Sequence, residues 1–164
     1  MTSTVRKIVS SAKLPKNTYP YRQVHIQRGG TEEGATLPKF IPALLFVCEV
    51  CQGVLVDKTL YIAGQIGWDC NAKVTEGVGA QTKLALENMG HVLAAVGATH
   101  KNVVKVTVLL KDINDFDEMN EVYATFFTQN YPARAAYAVA DLPVGALIEI
   151  EAVAILGDIV DCKL

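Results

Sequence analysis

The residues from Val103 to Leu110 constrain the fold of this chain more than any other segment. Their sequence, VVKVTVLL, is β-branched or leucine at every position but one, which predicts a central strand. Successive side chains of a strand point to opposite faces. One face is then formed by Val104, Val106, Val108 and Leu110, and the other by Lys105, Thr107 and Leu109. Apolar side chains on both faces predict a sheet that needs cover on both sides.

The flanking segments complete the pattern of one small domain. Residues 80–96 carry apolar side chains at helical spacing, and Gly97 suits the end of that helix. The segment DIND at 112–115 offers an N-cap for a second helix. Its apolar face comprises Phe116, Met119, Tyr123, Phe126 and Phe127. Strands are predicted around 5–10, at 54–56 and 60–63 with a turn at 57–58, and at 133–142 and 147–155 with a turn at 143–145.

The predicted fold class is therefore α/β (α+β), a single domain with one mixed sheet and two helices on one face. After the N-terminal strand the order is β-β-α-β-α-β-β. Two helices cover only one face of such a sheet. A partner subunit is the simplest cover for the other, so we expect a homo-oligomer.

Composition narrows the possible functions. The chain has 164 residues, of which 51% are hydrophobic, as in one compact domain. Its 15 basic and 17 acidic residues give a net charge of -2, which disfavours nucleic acid as the main ligand. The N-terminal segment MTSTVRK lacks the apolar run of a secretory signal, and the longest apolar stretch, at 41–50, is too short to cross a bilayer. We expect a reducing compartment, free thiols and no membrane partner.

Arg134 is the first candidate for chemistry. In a strand it shares a face with Ala136, Ala138 and Ala140, and these small neighbours leave space around the guanidinium. Arginine can hold a planar carboxylate through two parallel hydrogen bonds, so this strand is a candidate anchor for a small carboxylic acid. The alternative is an internal ion pair that serves only the structure.

Glu149 and Glu151 share one face of the last strand with apolar neighbours, and we expect this strand to lie next to the strand of Arg134. Burial among such neighbours raises the pKa of a carboxyl group, which favours a role as general base or acid. The alternative is that one of them pairs with a basic group, Arg134 being the nearest candidate. Asn120 lies within or beside the apolar face of the second helix, where its amide either donates to a ligand or caps a backbone group.

Signals for metals and cofactors are weak. The segment CEVC at 48–51 has redox spacing but no strand-to-helix context, and the three histidines are scattered. No zinc site or glycine-rich phosphate loop is recognisable in the sequence. We expect neither a metal nor a cofactor.

Four segments together resemble the RidA/YjgF family of imine deaminases. They are PARAAYAVADLPVGALIEIEAVA at 132–154, YIAGQIG at 61–67, NVVKVTV at 102–108 and DINDF at 112–116. The resemblance extends over residues 53–155. It implies a chorismate-mutase-like subunit, a homotrimer with three active sites in the subunit clefts, and no cofactor. It also implies hydrolysis of 2-imino or enamine acids, such as 2-iminopropanoate and 2-iminobutanoate, to 2-oxo acids and ammonia.

The resemblance also implies roles for individual residues. Arg134 binds the substrate carboxylate and Glu149 positions the attacking water. Asn120, Tyr21, Ala63 and Gly64 contribute to the substrate site. Relatives often have serine in place of Ala63, and some have cysteine in place of Ala136. The missing hydroxyl at Ala63 bears on the rate and the substrate preference.

Residues 24–52 interrupt the resemblance, because PYRQ at 20–23 and GVLVD at 53–57 match family segments that should be adjacent. The segment begins with Val24 and ends with Gln52. Codons that contain the intron boundary letters GT and CAG would encode these two residues, so we interpret the segment as a retained intron or a gene-model error. If it is real, it is a long loop beside Tyr21.

The sequence alone leaves two alternative functions open. One is a non-catalytic module that binds small 2-oxo acids or acts as a chaperone-like surface. Another is the ribonuclease or translation inhibitor activity attached to some relatives, which the net charge disfavours. The expected location is the cytoplasm, with mitochondria and peroxisomes as alternatives.

Overall fold

The computed structural model describes residues 6–9, 13–14, 18–19, 48–49 and 51–160. The chain divides into a large unit, Met1–Pro15 with Cys51–Leu164, and a small unit, Lys16–Val50. The first strand, β1 (Arg6–Val9), belongs to the large unit. In the small unit, β2 (Thr18–Tyr19) and β3 (Cys48–Glu49) form an antiparallel pair. Tyr21 and most of the proposed insertion at 24–52 lie outside the described residues, so the insertion stays a prediction.

The order of elements predicted for the large unit is confirmed. After β1 come β4 (Gly53–Val56), β5 (Thr59–Ile66), α1 (Val78–Ala94), β6 (Val103–Leu110), α2 (Phe116–Phe126), β7 (Ala133–Ala138) and β8 (Ile148–Ile155). The turn between β4 and β5 contains Asp57, whose φ of 53° is left-handed. Asp112 caps the short 3-10 turn before α2 by accepting a hydrogen bond from the Asn114 backbone at 2.9 Å. The strand expected to reach residue 142 ends at Ala138.

A six-stranded mixed sheet forms the centre of the large unit, in the order β1-β4-β5-β8-β6-β7. Strands β6 and β7 are parallel, while β8 runs antiparallel to both β5 and β6. Helix α1 therefore connects β5 to β6, and α2 connects β6 to β7, in the same direction across the sheet. Crossovers between parallel strands are right-handed, so both helices lie on one face.

The sheet order corrects one expectation about the site. Arg134 on β7 and Glu149 on β8 were expected on neighbouring strands, but β6 lies between these two strands. Arg134 pairs with Val106 of β6, whose side chain is buried under the helices. Glu149 pairs with Leu109, which points to the opposite face. The two groups are thus on opposite faces of the same sheet.

A β-bulge corrects a second expectation. The register between β6 and β8 shifts between Val103 and Lys105, so the alternation changes there. Val103 is buried, whereas Val104, predicted to share a face with Val106, is 37% exposed. From Val106 onward the predicted alternation holds, with Val106, Val108 and Leu110 fully buried.

The core lies between the helices and one face of the sheet. Side chains such as Leu86 and Met89 of α1 and Met119 of α2 are fully buried in one cluster with Ile148 and Ile150 of β8. Each such side chain contributes about 1.5–3 kcal/mol through burial. Among the described residues, no helix combines the length and the apolar character needed to cross a membrane.

The face of the sheet opposite the helices is largely open within one subunit. Tyr61 on β5 and Tyr137 on β7 are 52% and 50% exposed there. Leu109 and Val153 on this face are only partly buried. This surface is the one for which the sequence predicted a partner subunit.

Candidate active site

Arg134 projects from the edge strand toward helix α2. Its Nη1 donates a hydrogen bond to Asn120 Oδ1 at 2.8 Å. Its Cζ lies over the ring of Tyr123, 4.5 Å from the centroid, and 5.6 Å from the centroid of Phe116. These three helix residues lie at i, i+4 and i+7, so α2 presents them on one face. Residue Arg134 is exposed, so the guanidinium is accessible to a ligand.

Within the part of the chain that the structure describes, the internal ion pair considered for Arg134 does not form. No carboxylate of the described residues lies within 4.0 Å of the Arg134 guanidinium. The ion pairs found among the described residues, Lys83–Glu87 and Lys111–Asp141, do not involve Arg134. Of the two alternatives for Asn120, a cap on a backbone group is not formed among the described residues; its amide oxygen accepts from Arg134 instead. Within the described part of the chain, the Asn120 amide NH₂ group has no hydrogen-bond partner. Arg134 and Asn120 therefore offer several unused N–H donors at one place.

Glu149 lies on the other face of the sheet, against Gly64 of β5. The side chain of Glu149 occupies the space in which a side chain at position 64 would lie: a Cβ built there would approach Glu149 Cδ at 2.5 Å and Cγ at 2.8 Å. Glycine at position 64 thus allows the carboxyl group to lie directly on the strand. The residue is half-buried.

The surroundings of Glu149 raise the pKa of its carboxyl group. Burial is the larger cause, and the neighbouring charge of Glu151 is the second. Among the described residues no donor or cation is in contact with this carboxylate to oppose the effect. A carboxylate with a raised pKa is a stronger base, so Glu149 is suited to accept a proton from water.

A β-bulge in β5 shapes the strand beneath Glu149. The register with β8 shifts between Ile62 and Gln65, which places Ala63 and Gly64 in the irregular segment. The buried Gln65 side chain donates to the carbonyl oxygens of Ala63 at 2.9 Å and Gly64 at 3.4 Å. Gly64 thus lies beside Glu149, and Ala63 precedes it in the same irregular segment.

Three residues near the site were not assigned to it from the sequence. Gln65 was noted only within a motif, and Phe116 and Tyr123 only as apolar helix positions. The available signals were a polar residue next to a strand glycine and an aromatic residue two helical turns after Phe116. The side-chain direction of Arg134, which gives these aromatics their significance, depends on the tertiary fold.

The other candidates do not add to the site. Cys51 and Cys70 are free thiols, and His100 is enclosed between the helices. Within the described ranges, no three His, Cys, Asp or Glu side chains cluster closely enough to hold a metal ion. Tyr21 lies outside the described residues.

The fold and these two groups define a class of protein. It is a small α/β protein with one mixed sheet, two helices on one face, an arginine available for a carboxylate and a half-buried glutamate on the opposite face.

Comparison with known proteins agrees with this class. The profile of the family described as Endoribonuclease L-PSP matches residues 46–156. The human 2-iminobutanoate/2-iminopropanoate deaminase is 44% identical over 166 aligned residues that cover 100% of both chains. The crystal structure of RidA from an Antarctic Psychrobacter bacterium superposes with a TM-score of 0.68, 30% identity and coverage of 92% of this chain and 99% of that one. Escherichia coli TdcF with bound serine superposes with a TM-score of 0.68, 29% identity and coverage of 92% and 99%.

The chain belongs to the Endoribonuclease L-PSP family, which is the RidA/YjgF family that its motifs resemble.

Proposed function

We propose that this protein is a hydrolytic deaminase that converts reactive 2-imino and enamine acids, such as 2-iminopropanoate and 2-iminobutanoate, to 2-oxo acids and ammonia without a cofactor. The observation that carries the proposal is the exposed Arg134 guanidinium, which is held by Asn120 and has no carboxylate partner among the described residues, so that it can bind a substrate carboxylate. The name of the human relative and the serine bound to the TdcF relative support a small amino-acid-like substrate.

In the proposed reaction, Arg134 fixes the acid end of the substrate and Glu149 acts on water. As the water oxygen forms a bond to the imine carbon, Glu149 accepts a proton from that water and passes it to the imine nitrogen. In the resulting carbinolamine, Glu149 transfers the hydroxyl proton to the amino nitrogen as the C–N bond breaks, so that NH₃ leaves and the C=O bond forms. The overall change is C=NH plus H₂O to C=O plus NH₃. An imine carbon next to a carboxylate is already electrophilic, so positioning supplies most of the catalysis.

The proposed site lies between two subunits of a homotrimer. Arg134 and Glu149 are on opposite faces of one sheet, with β6 between their strands, so one subunit does not direct both at a single small substrate. The largely open sheet face, with Tyr61 and Tyr137 exposed, offers a surface for the neighbouring copy. In this arrangement Arg134 and Asn120 of one subunit face Glu149, Ala63 and Gly64 of the next. Tyr21 is proposed as a further residue of this cleft.

Turnover is the first test. An amino-acid oxidase generates the imino acid in the assay, and formation of 2-oxo acid and ammonia is followed with and without the protein. Faster hydrolysis that is lost in Arg134→Ala, with the oligomer intact, supports the proposal. Saturable binding of 2-oxobutanoate with no acceleration would instead favour the non-catalytic binding module.

Mixed oligomers test the location of the site. Arg134→Ala and Glu149→Gln subunits are co-expressed with different tags and the mixed species is isolated. If each site takes Arg134 from one subunit and Glu149 from another, about a third of the sites in the isolated mixed trimers have both groups intact. Mixing Arg134→Ala with Asn120→Ala is the matched control, because both groups belong to the same half of the site and no recovery is expected. Absence of recovery in the first mixture would refute the shared site.

The family description names a different activity, cleavage of RNA. The net charge of -2 does not provide the basic surface that RNA binding requires. We therefore propose deamination as the main activity, and a parallel assay with single-stranded RNA distinguishes the two activities.

The proposed location is the cytoplasm, and the proposed domain organisation is one family domain with an atypical insertion at 24–52. Sequencing of the mature transcript tests the insertion.

A further inference from the structure

The aromatic residues under Arg134 carry an inference that rests on the proposed function and extends it. An arginine side chain has many rotamers, and a ligand that must first order it loses affinity. A guanidinium that is already held in place in the free protein avoids this loss. The contacts around Arg134 show how such holding is achieved.

Two kinds of contact restrain the guanidinium. Asn120 Oδ1 accepts one hydrogen bond at 2.8 Å, which uses one of the five N–H donors of an arginine side chain. Tyr123 lies beneath, with the guanidinium carbon 4.5 Å from its ring centroid, and Phe116 lies at 5.6 Å. Both distances are within about 6 Å, the range of attraction between a cation and an aromatic ring, and the shorter one makes Tyr123 the stronger partner.

Tyr123 is itself fixed. Its side chain is 5% exposed, and its ring stacks on Phe127 with 4.6 Å between centroids and 29° between planes. Phe127 in turn contacts His100 edge-on at 5.7 Å. The ring under Arg134 therefore belongs to the core of the subunit and does not move freely with the arginine.

The hydroxyl group of Tyr123 does not explain its position. It is buried, and among the described residues it has no hydrogen-bond partner. Burial raises its pKa to about 12, with a smaller opposing effect of Arg134, so the group stays neutral and forms no ion pair with the guanidinium. An unpartnered buried hydroxyl is unfavourable for folding. The aromatic ring, and not the hydroxyl, makes the contact with Arg134.

We propose that Tyr123 is a positioning residue for substrate binding: its ring, supported by Phe116, holds the Arg134 guanidinium so that the N–H donors not used by Asn120 face a substrate carboxylate. The ring acts through Arg134 and does not touch the reacting atoms. It follows that phenylalanine replaces Tyr123 without loss, whereas an aliphatic side chain of similar volume does not.

Binding of 2-oxobutanoate, measured by calorimetry, tests the proposal without requiring turnover. We expect Tyr123→Leu to bind about tenfold more weakly than the wild type, Phe116→Leu to show a smaller loss, and Tyr123→Phe to retain wild-type affinity. Met119→Ala is the control for general damage, since Met119 is a fully buried residue of α2 and has no described contact with Arg134. It is expected to lose thermal stability but not affinity.

A second measurement reports on Arg134 directly. The δ and ε protons of Arg134 in the free wild-type protein are expected to show an upfield ring-current shift in NMR spectra, retained in Tyr123→Phe and lost in Tyr123→Leu. If Tyr123→Leu binds 2-oxobutanoate with wild-type affinity while Arg134→Ala does not bind it, this inference is overturned and the proposed function stays intact. Loss of affinity in Tyr123→Phe would also overturn it, because the hydroxyl would then be required. No difference between wild type and Arg134→Ala would overturn both proposals.

Discussion

Replacement of Gly64 by alanine tests whether the position of the Glu149 carboxyl group determines activity. A Cβ at position 64 would lie 2.5 Å from Glu149 Cδ. Ordinary contact between two carbon atoms needs about 3.5 Å, so the carboxyl group must move away by about 1 Å or more. The neighbour that moves is the end of a flexible side chain, not backbone.

The expected effect on activity is much larger than the effect on stability. A displacement of about 1 Å of a catalytic group lowers the rate about 100-fold. The backbone of Gly64 is not in the left-handed region, so alanine is tolerated there. Alanine also reduces the freedom of the unfolded chain, which offsets the cost of a new Glu149 rotamer. The net change in the free energy of unfolding is expected to stay within about 1 kcal/mol.

Steady-state kinetics with enzymatically generated imino acid and urea denaturation measure the two quantities. Gly79→Ala is a matched control, because a Cβ there would lie 2.7 Å from the carboxyl oxygen of Glu118, a residue with no assigned role in the site. It should displace that carboxyl group and leave kcat/KM unchanged. Wild-type activity in Gly64→Ala would refute the role of Glu149. If Gly64→Ala lowers the free energy of unfolding by more than about 2 kcal/mol as well as lowering activity, the claim that activity is affected much more than stability is refuted.

Three further predictions concern charges. Glu151→Gln removes a repulsive neighbour and lowers the pKa of Glu149, so the acid limb of kcat/KM against pH should move to lower pH; Glu121→Gln on the helix surface should leave it in place, and an unmoved limb in Glu151→Gln contradicts the coupling. Burial lowers the pKa of His100, with its hydrogen bond to the Leu86 carbonyl as a smaller opposing effect. The unfolded state therefore binds protons more readily, and the stability present above pH 6.5 should fall as the pH decreases below that value. His100→Gln should flatten this dependence in urea titrations at several pH values, and an equally steep dependence would assign it to other groups. Glu118→Ala removes the acceptor for the Gly79 backbone N–H at the start of α1 and should cost about 1 kcal/mol of unfolding free energy with unchanged kcat/KM; no measurable cost would show that this contact contributes little.

Much of the fold could be predicted because the local signals were strong. The alternation in β6, the helical spacing around Leu86 and Met89, and the turn at Asp57 all depend on residues close in sequence. The bulge at Val104 could not be predicted, since it arises from the pairing of β6 with β8. The insertion of β8 between β5 and β6 is likewise a long-range choice that the chain order does not reveal.

Arg134 and Glu149 could be proposed as candidates from the sequence, but their arrangement could not be predicted. Arg134 and Glu149 stood out through their neighbours and the motifs around them. Period-2 alternation gives the face of a residue only relative to its own strand. Whether two strands direct their polar residues to the same face depends on sheet order and register, which placed Arg134 toward α2 and Glu149 toward the open face.

The position of β6 between Arg134 and Glu149 has a consequence for how the activity responds to dilution. If each working site is completed by a second copy of the chain, specific activity should fall when the protein is diluted below the dissociation constant of the oligomer, although every chain remains folded. Substitutions on the open face, such as Tyr61→Asp, should then lower apparent activity at low protein concentration and spare it at high concentration. Because β6 separates Arg134 from Glu149 within one subunit, the activity per chain would then depend on protein concentration.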